Sequence, residues 1–255
     1  MTVEQKRPPA GKLALITGAS RGLGRAMAVA LAEAGAKVVL VARDRAKLEE
    51  TRQEIERLGA RVWTFQADVT SEDQVCELER QVREQAGLVD ILINNAGVNV
   101  RKPLEELTLA DWRLVLDTNL TSVFLMCKAF VPHMRGRGYG RIINMTSIMS
   151  WVALPGRIAY CSSKAGLLGL TRALALELAP ENITVVGISP GPFATEMNRV
   201  LIENPKLNQE FISRIPLGRW GKVEEIGKLA VYLCSEEAGF ITGTDILIDG
   251  GWTAQ

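Results

Sequence analysis

Two hydropathy patterns alternate along the 255 residues. Short runs rich in Val, Ile and Leu are separated by longer stretches in which apolar residues recur every three or four positions, and this alternation predicts βαβ units around a parallel sheet. Strands are expected at residues 12–17, 37–42, 61–66, 90–94, 141–146, 184–189 and 245–248. Helices are expected at 24–34, 45–58, 71–85, 109–134, 157–179 and 223–234, with Gly35, Gly59 and Gly87 just past helix ends, where a left-handed residue closes the last turn. The predicted fold class is therefore α/β, one Rossmann domain over 1–255 with a seven-stranded, doubly wound parallel sheet and helices on both faces. One stretch breaks the rhythm. Residues 190–220 follow the sixth strand with Pro, Gly and scattered apolar residues, too many for an ordinary connection. They lie beyond the carboxyl end of a strand, where doubly wound sheets bind ligands, so they are predicted to form a short substrate lid.

Composition narrows the function by exclusion. Apolar residues make up 47% and charged residues 23%, the balance of a globular enzyme rather than of a disordered chain. A net charge of +1 sets up no field towards nucleic acid or an anionic membrane, so the expected partner is a small molecule. Cys76, Cys127, Cys161 and Cys234 form no CxxC pair, which points to reduced thiols rather than a zinc site or a disulfide framework, with Cys161 a bystander beside Tyr160. His133 is the sole histidine, which removes most imidazole metal sites and Ser/His nucleophiles; after Pro132 at a helix end it reads as solvated or helix-terminal, and no metal is expected. The first ten residues are polar and contain prolines, which suggests neither a signal peptide nor an anchor and predicts a cytoplasmic location.

The first strand runs into Thr17-Gly18-Ala19-Ser20-Arg21-Gly22-Leu23-Gly24 and then a helix. In that context the glycines read as a dinucleotide cradle: Gly18 for the tight turn, Gly22 for close approach of backbone to pyrophosphate and Gly24 for helix packing, with the helix N-terminus favouring the anion. The same letters fit the GxSxG elbow of α/β-hydrolases, with Ser20 as nucleophile. That serine would need His133, whose place in the chain order suits that fold badly.

Tyr160 and Lys164 stand four apart, on one face of a predicted helix. A tyrosine has a pKa of about 10, and working near neutrality requires roughly 4 kcal/mol of help. An ammonium some 4 Å away supplies about 4 kcal/mol at an effective dielectric of about 20, so Lys164 is expected to make Tyr160 a usable acid or base. Ser147, at the end of the fifth predicted strand, is placed to hold a carbonyl oxygen.

With these motifs the chain resembles the short-chain dehydrogenase/reductase family over essentially its whole length, and most closely the family's gluconate 5-dehydrogenase and 3-oxoacyl-carrier reductase branches. The resemblance rests on the glycine turn, Asp68-Val69, Asn94-Asn95-Ala96-Gly97, Asn119, Ser147 with Tyr160 and Lys164, and Pro190-Gly191 with Thr195. It implies a catalytic tetrad of Asn119, Ser147, Tyr160 and Lys164, with Asn119 supporting a proton-relaying water. It further implies that Asp68 and Val69 flank adenine, that Asn95, Ala96 and Gly97 line the cofactor, that Pro190, Gly191 and Thr195 hold the nicotinamide end, and that the chain is a homotetramer. Read from the residues alone, Asn119 and Asp68 also fit capping roles, and Asn94 and Asn95 fit ties between strands.

The cofactor is expected to be NADP(H). NAD-users usually close the second strand with an acid for the ribose 2′-hydroxyl, whereas Ala42-Arg43 offers a guanidinium, with Arg21 a second and Asp44 one position away. The expected reaction is hydride transfer between NADP(H) and a ketone or secondary alcohol. Met149, Trp151, Phe193 and Met197 are expected to give the substrate pocket apolar wall, and Arg157, with Asn99 and Arg101, donors for a carboxylate, which favours a sugar acid. The alternatives are a 3-oxoacyl-[acyl-carrier-protein] reductase, a broad carbonyl reductase, a non-catalytic NADP(H)-binding regulator and the Ser20 hydrolase.

Overall fold

The computed structural model describes residues 9–255, apart from the side chains of Met197 and Val200; the polar stretch 1–8 lies outside them. The chain alternates β1 (Leu13–Thr17), α1 (Gly22–Glu33), β2 (Lys37–Ala42), α2 (Arg45–Arg57), β3 (Val62–Gln66), α3 (Glu72–Gln85) and β4 (Ile91–Asn94). It continues through α4 (Leu109–Leu116), α5 (Ser122–Phe130), β5 (Gly140–Met145), α6 (Ile158–Leu178), β6 (Ile183–Pro190), α7 (Arg199–Glu203), α8 (Pro205–Ile212), α9 (Val223–Leu233) and β7 (Asp245–Ile248).

The seven strands form one parallel sheet in the order β3-β2-β1-β4-β5-β6-β7. Near-continuous apolar strands are what a sheet covered on both faces requires, and successive residues separate cleanly. Leu13, Leu15, Val39 and Val41 pack with α3, α5 and α6 on one side. Ala14, Ile16, Val38 and Leu40 pack with α1, α2 and α9 on the other. The strand order reverses between β1 and β4, so the loops after these two strands open a crevice at the carboxyl edge of the sheet.

Two helical expectations need correction. The predicted 109–134 helix is interrupted by a π turn at Asp117–Thr121, and it ends at Phe130 in a 3₁₀ turn, Val131–His133. By length and composition this run would cross a membrane, but 56% of its apolar window is buried inside the fold, as in a core helix. The lid holds ordered helices, α7 and α8, which the scattered apolar pattern concealed; Asn204 caps α8 and Pro205 opens it. The lid's two ends meet where Phe193 bridges Gly221. His133 is buried rather than solvated, accepting from the Val89 amide at 3.1 Å and sitting 2.8 Å from Glu79. Val89 precedes β4 whereas Ser20 follows β1, so the histidine and the proposed elbow serine lie at opposite ends of a parallel sheet. This removes the hydrolase reading.

Candidate active site

The crevice is a cavity of about 480 Å³ that reaches from the β2 end past the glycine turn to the lid. Gly18 (φ +63°) and Gly22 (φ +57°) take the left-handed conformation that glycine tolerates best. Around the position of a Cβ on Gly22 only the Thr195 Cγ2 atom, at 4.0 Å, comes near, which leaves room for a phosphate. Arg21 gives α1 no side-chain cap, so the first amides of that helix have no side-chain acceptor and suit an anion. Gly24 is buried against the Gly18 carbonyl and the Asn95 amide, with no room for a side chain. Asn95 secures the turn, donating from Nδ2 to the carbonyls of Thr17 (2.9 Å) and Gly18 (3.1 Å). Asn94 instead ties β4 to β5, donating to Asn144 Oδ1 at 2.9 Å.

At the β2 end, Ser20, Arg21, Leu23, Arg43, Asp68 and Val69 line the cavity, as do Ala96 and Gly97 further in. Asp68 accepts from the amide and hydroxyl of Thr70 and stands 4.0 Å from Arg43; Ser71, not Asp68, caps α3. Asp44 is occupied as the cap of α2, accepting from the Lys47 amide at 3.1 Å, and Lys47 itself lines the cavity. Arg21 pairs with Glu196 of the lid at 3.1 Å, and Lys47 stands 3.7 Å from the same carboxylate. Lys47 was not anticipated; the cap at Asp44, which fixes where α2's first turn points, was its signal.

Ser147, Tyr160 and Lys164 converge on the same cavity, with Pro190, Gly191 and Thr195 opposite. Ser147 leaves β5 and accepts the Met149 amide at 3.1 Å, capping the 3₁₀ turn Ile148–Ser150. Lys164 Nζ donates to the Met145 carbonyl at 2.6 Å and lies 5.7 Å from the Tyr160 ring centre. Burial pushes the Lys164 ammonium down to about 8. Burial is also the largest influence on Tyr160 and pushes its phenol up; the facing Ser147 hydroxyl, Arg157 and Arg101 draw it down. The expected descent of Tyr160 under Lys164 alone is thus not what this arrangement produces, because desolvation outweighs a cation turned towards a backbone carbonyl. Asn119 is fully buried in the π turn, holding the Val98 amide (2.8 Å) and carbonyl (2.9 Å) and the Ser163 hydroxyl (3.0 Å). It lies beside the Ser147, Tyr160 and Lys164 cluster and orders the loop after β4.

At the substrate end Met149, Arg157 and Phe193 line the cavity, together with Asn99 and Arg101. Trp151 does not: it follows the 3₁₀ turn on the outer side, half exposed, and donates to Asp245 at 2.7 Å. The Met197 side chain lies outside the described residues. Leu154, Leu201, Phe211 and Trp252 complete the apolar wall; Leu201 and Phe211 come from the expected lid, whereas Trp252 was not anticipated. Trp252 arrives from the C-terminus and packs on Phe211 at 5.3 Å, a long-range contact without local signal; Phe211 stacks on Trp220 at 4.9 Å. Neither Arg101 nor Arg157 forms an ion pair among the described residues. Burial, then the neighbouring Arg101, lowers the Arg157 pKa.

A gap over a glycine turn with room for a phosphate, next to buried Ser147 and Lys164 and half-buried Tyr160 at a topological switch point, defines a dinucleotide-dependent oxidoreductase. The chain belongs to the short-chain dehydrogenase/reductase family and acts on CH–OH groups. A family model described as enoyl-(acyl carrier protein) reductase matches residues 18–253. Gluconate 5-dehydrogenase of Gluconobacter oxydans is 38% identical over 245 residues, 96% of each chain. A 3-oxoacyl-[acyl-carrier-protein] reductase of Aquifex aeolicus is 36% identical over 242 residues, 94% of this chain and 97% of the relative. The crystal structure of a gluconate 5-dehydrogenase from Burkholderia cenocepacia, in complex with NADP and tartrate, superposes with a TM-score of 0.91 at 35% identity, covering 96% of each chain.

Proposed function

We propose that one domain over residues 1–255 transfers a hydride between NADP(H) and a small polar hydroxy or keto acid of the sugar-acid kind, with gluconate and 5-ketogluconate as the reference pair. The observation that carries this reading is the unpaired guanidinium pair, Arg157 and Arg101, in the same cavity as Tyr160. Two cations without an acid are costly to hold together, and a carboxylate relieves that cost in a geometry suited to bidentate bonding.

NADP(H), when bound, supplies or takes the hydride; the rest is work for this chain's residues. The gap at Gly22 and the uncapped start of α1 hold the pyrophosphate, and Arg43, Lys47 and Arg21 surround the adenosine end with positive charge. Asp44 is held as the cap of α2 by the Lys47 amide, and the nearby Asp68 carboxylate stands 4.0 Å from Arg43. Ser147 orients the substrate oxygen, and Tyr160 gives its phenolic proton to that oxygen in reduction or takes it in oxidation. Lys164 holds the ribose, and Asn119 supports the proton path from Lys164. Met149, Leu154 and Phe193 keep water away. Leu109, Leu114 and Phe124 on α4–α5 and Leu176 on α6 expose large apolar side chains, which supports a homotetramer paired through these helices.

The second reading, a 3-oxoacyl-[acyl-carrier-protein] reductase, is favoured by the apolar wall of Leu154, Leu201, Phe211 and Trp252. Steady-state reduction of 5-ketogluconate against an acetoacetyl thioester under NADPH separates the two. The keto acid is expected to have the higher kcat/KM, with Arg157→Ala losing at least about tenfold on it, as for a charged hydrogen bond of 1.5–3 kcal/mol; preference for the thioester would refute the sugar-acid assignment. Arg43→Ala is expected to narrow the preference for NADPH over NADH in the same assay.

A further inference from the structure

We propose that Asp245 is a positioning residue for Ser147, and through it for the proton chemistry of Tyr160. The proposal rests on the catalytic reading of Ser147 and Tyr160 given above, and concerns a residue on the far strand of the sheet that lines no part of the cavity.

Asp245 opens β7 in register with Gly187 of β6, which in turn pairs with Asn144 of β5. Gly187 has no side chain, and the Asp245 carboxylate fills that place; a Cβ at 187 would overlap Asp245 Oδ1 and press on Thr146 Cγ2 at 3.3 Å. Reaching across the glycine, the carboxylate gathers donors from both sides of Ser147. Thr146, the residue before it, donates to Oδ1 at 2.5 Å. Trp151, just past the 3₁₀ turn that Ser147 caps, donates to Oδ2 at 2.7 Å. Ser189 of β6, fully buried, has its hydroxyl 2.6 Å from Oδ2 and 2.9 Å from the carbonyl oxygen of Ser147 itself. On its other side this stretch is held by Lys164 on the Met145 carbonyl.

The backbone that aims the Ser147 hydroxyl is therefore held one residue upstream and four residues downstream by one carboxylate, and Ser189, whose single proton goes to Oδ2 or to the Ser147 carbonyl, links that carboxylate to the Ser147 backbone. An alanine leaves the Trp151 donor and the two hydroxyls without their acceptor, whereas an asparagine keeps one oxygen for Trp151 and turns an amide donor towards a hydroxyl, preserving part of the network. Ser147 is one of the groups that draw the Tyr160 phenol down against burial. Displacing it by a fraction of an ångström weakens both its grip on the substrate oxygen and its influence on the phenol.

The test uses the full-length protein and four variants: Ser147→Ala, Asp245→Ala, Asp245→Asn and Gly187→Ala. Gly187→Ala displaces the carboxylate without removing it. One readout needs no substrate: the pH titration of tyrosinate ultraviolet absorbance, each protein minus the same protein carrying Tyr160→Phe. The other is gluconate oxidation with NADP⁺ against pH. Asp245→Ala and Gly187→Ala are expected to move the Tyr160 titration and the alkaline rise in rate to higher pH, as Ser147→Ala does. They should lower kcat about 10- to 100-fold with NADP⁺ affinity unchanged, and Asp245→Asn is expected to shift in the same direction by less. Loss of Tm alone, with the titration unmoved in the folded Asp245→Asn and Gly187→Ala proteins, would overturn the proposal. If Ser147→Ala itself leaves the titration and kcat untouched, it is the reading of Ser147 that fails.

Discussion

Burial governs the two ionisable side chains at the centre of the site, and it does so in opposite senses. Lys164 is held at about 8, below the usual lysine value of about 10.4, while the Tyr160 phenol is raised. For the lysine the folded pKa lies below the unfolded one, so between about pH 8 and 10 the unfolded chain binds more protons and folding becomes more favourable as pH rises. Below pH 8 the full cost of the buried charge is present. Lys164→Met is therefore expected to abolish turnover yet raise Tm at neutral pH, its advantage over the wild type shrinking as pH climbs towards about 10. Thermal unfolding of both proteins at several pH values checks this, and a destabilised variant at pH 7 would contradict it. Stability surrendered to a functional cation is common where a site must hold an unpaired charge.

Elements differ in how much of themselves the sequence declares. All seven strands were legible to within a residue or two, five of them as largely buried runs, with the edge strands β3 and β7 only partly covered. Asn94 and Asn95 carried no such signal: one ties strands and the other ties the glycine turn, and only the strand order separates their roles. The break in 109–134 was hidden because apolar spacing continues through Asp117–Thr121; the extra residue there is set by Asn119 reaching Val98 and Ser163, contacts far away in sequence. In the lid, the cap at Asn204-Pro205 lies in a stretch read as irregular, and the aromatic seat of α8, Phe211 between Trp220 and Trp252, joins segments that meet only in the fold. Removing one side of that seat, Trp220→Ala, is expected to raise the KM for the keto acid several-fold and speed proteolysis within 199–212, with Tm little changed. Unchanged KM and proteolysis would show that the stack does not hold the lid.

Across the whole molecule, cofactor and substrate chemistry meet where the strand order reverses, and each half of the sheet supplies one part. The β1–β3 half brings the glycine turn and the basic adenosine end; the β4–β7 half brings Asn119, Ser147, Tyr160 and Lys164 and carries the lid. Chemistry therefore depends on the second half presenting a phenol whose proton can move while the first half holds the nucleotide undisturbed. Tyr160→Phe separates these two tasks, deleting one oxygen and almost no packing. Measured side by side, NADPH affinity by fluorescence titration is expected to stay within about twofold of wild type, while the rate of 5-ketogluconate reduction falls by at least the ~10²-fold typical of losing a general acid. A Tyr160→Phe protein that binds NADPH normally and still reduces the keto acid at near wild-type rate would contradict the assignment of Tyr160 as the proton donor.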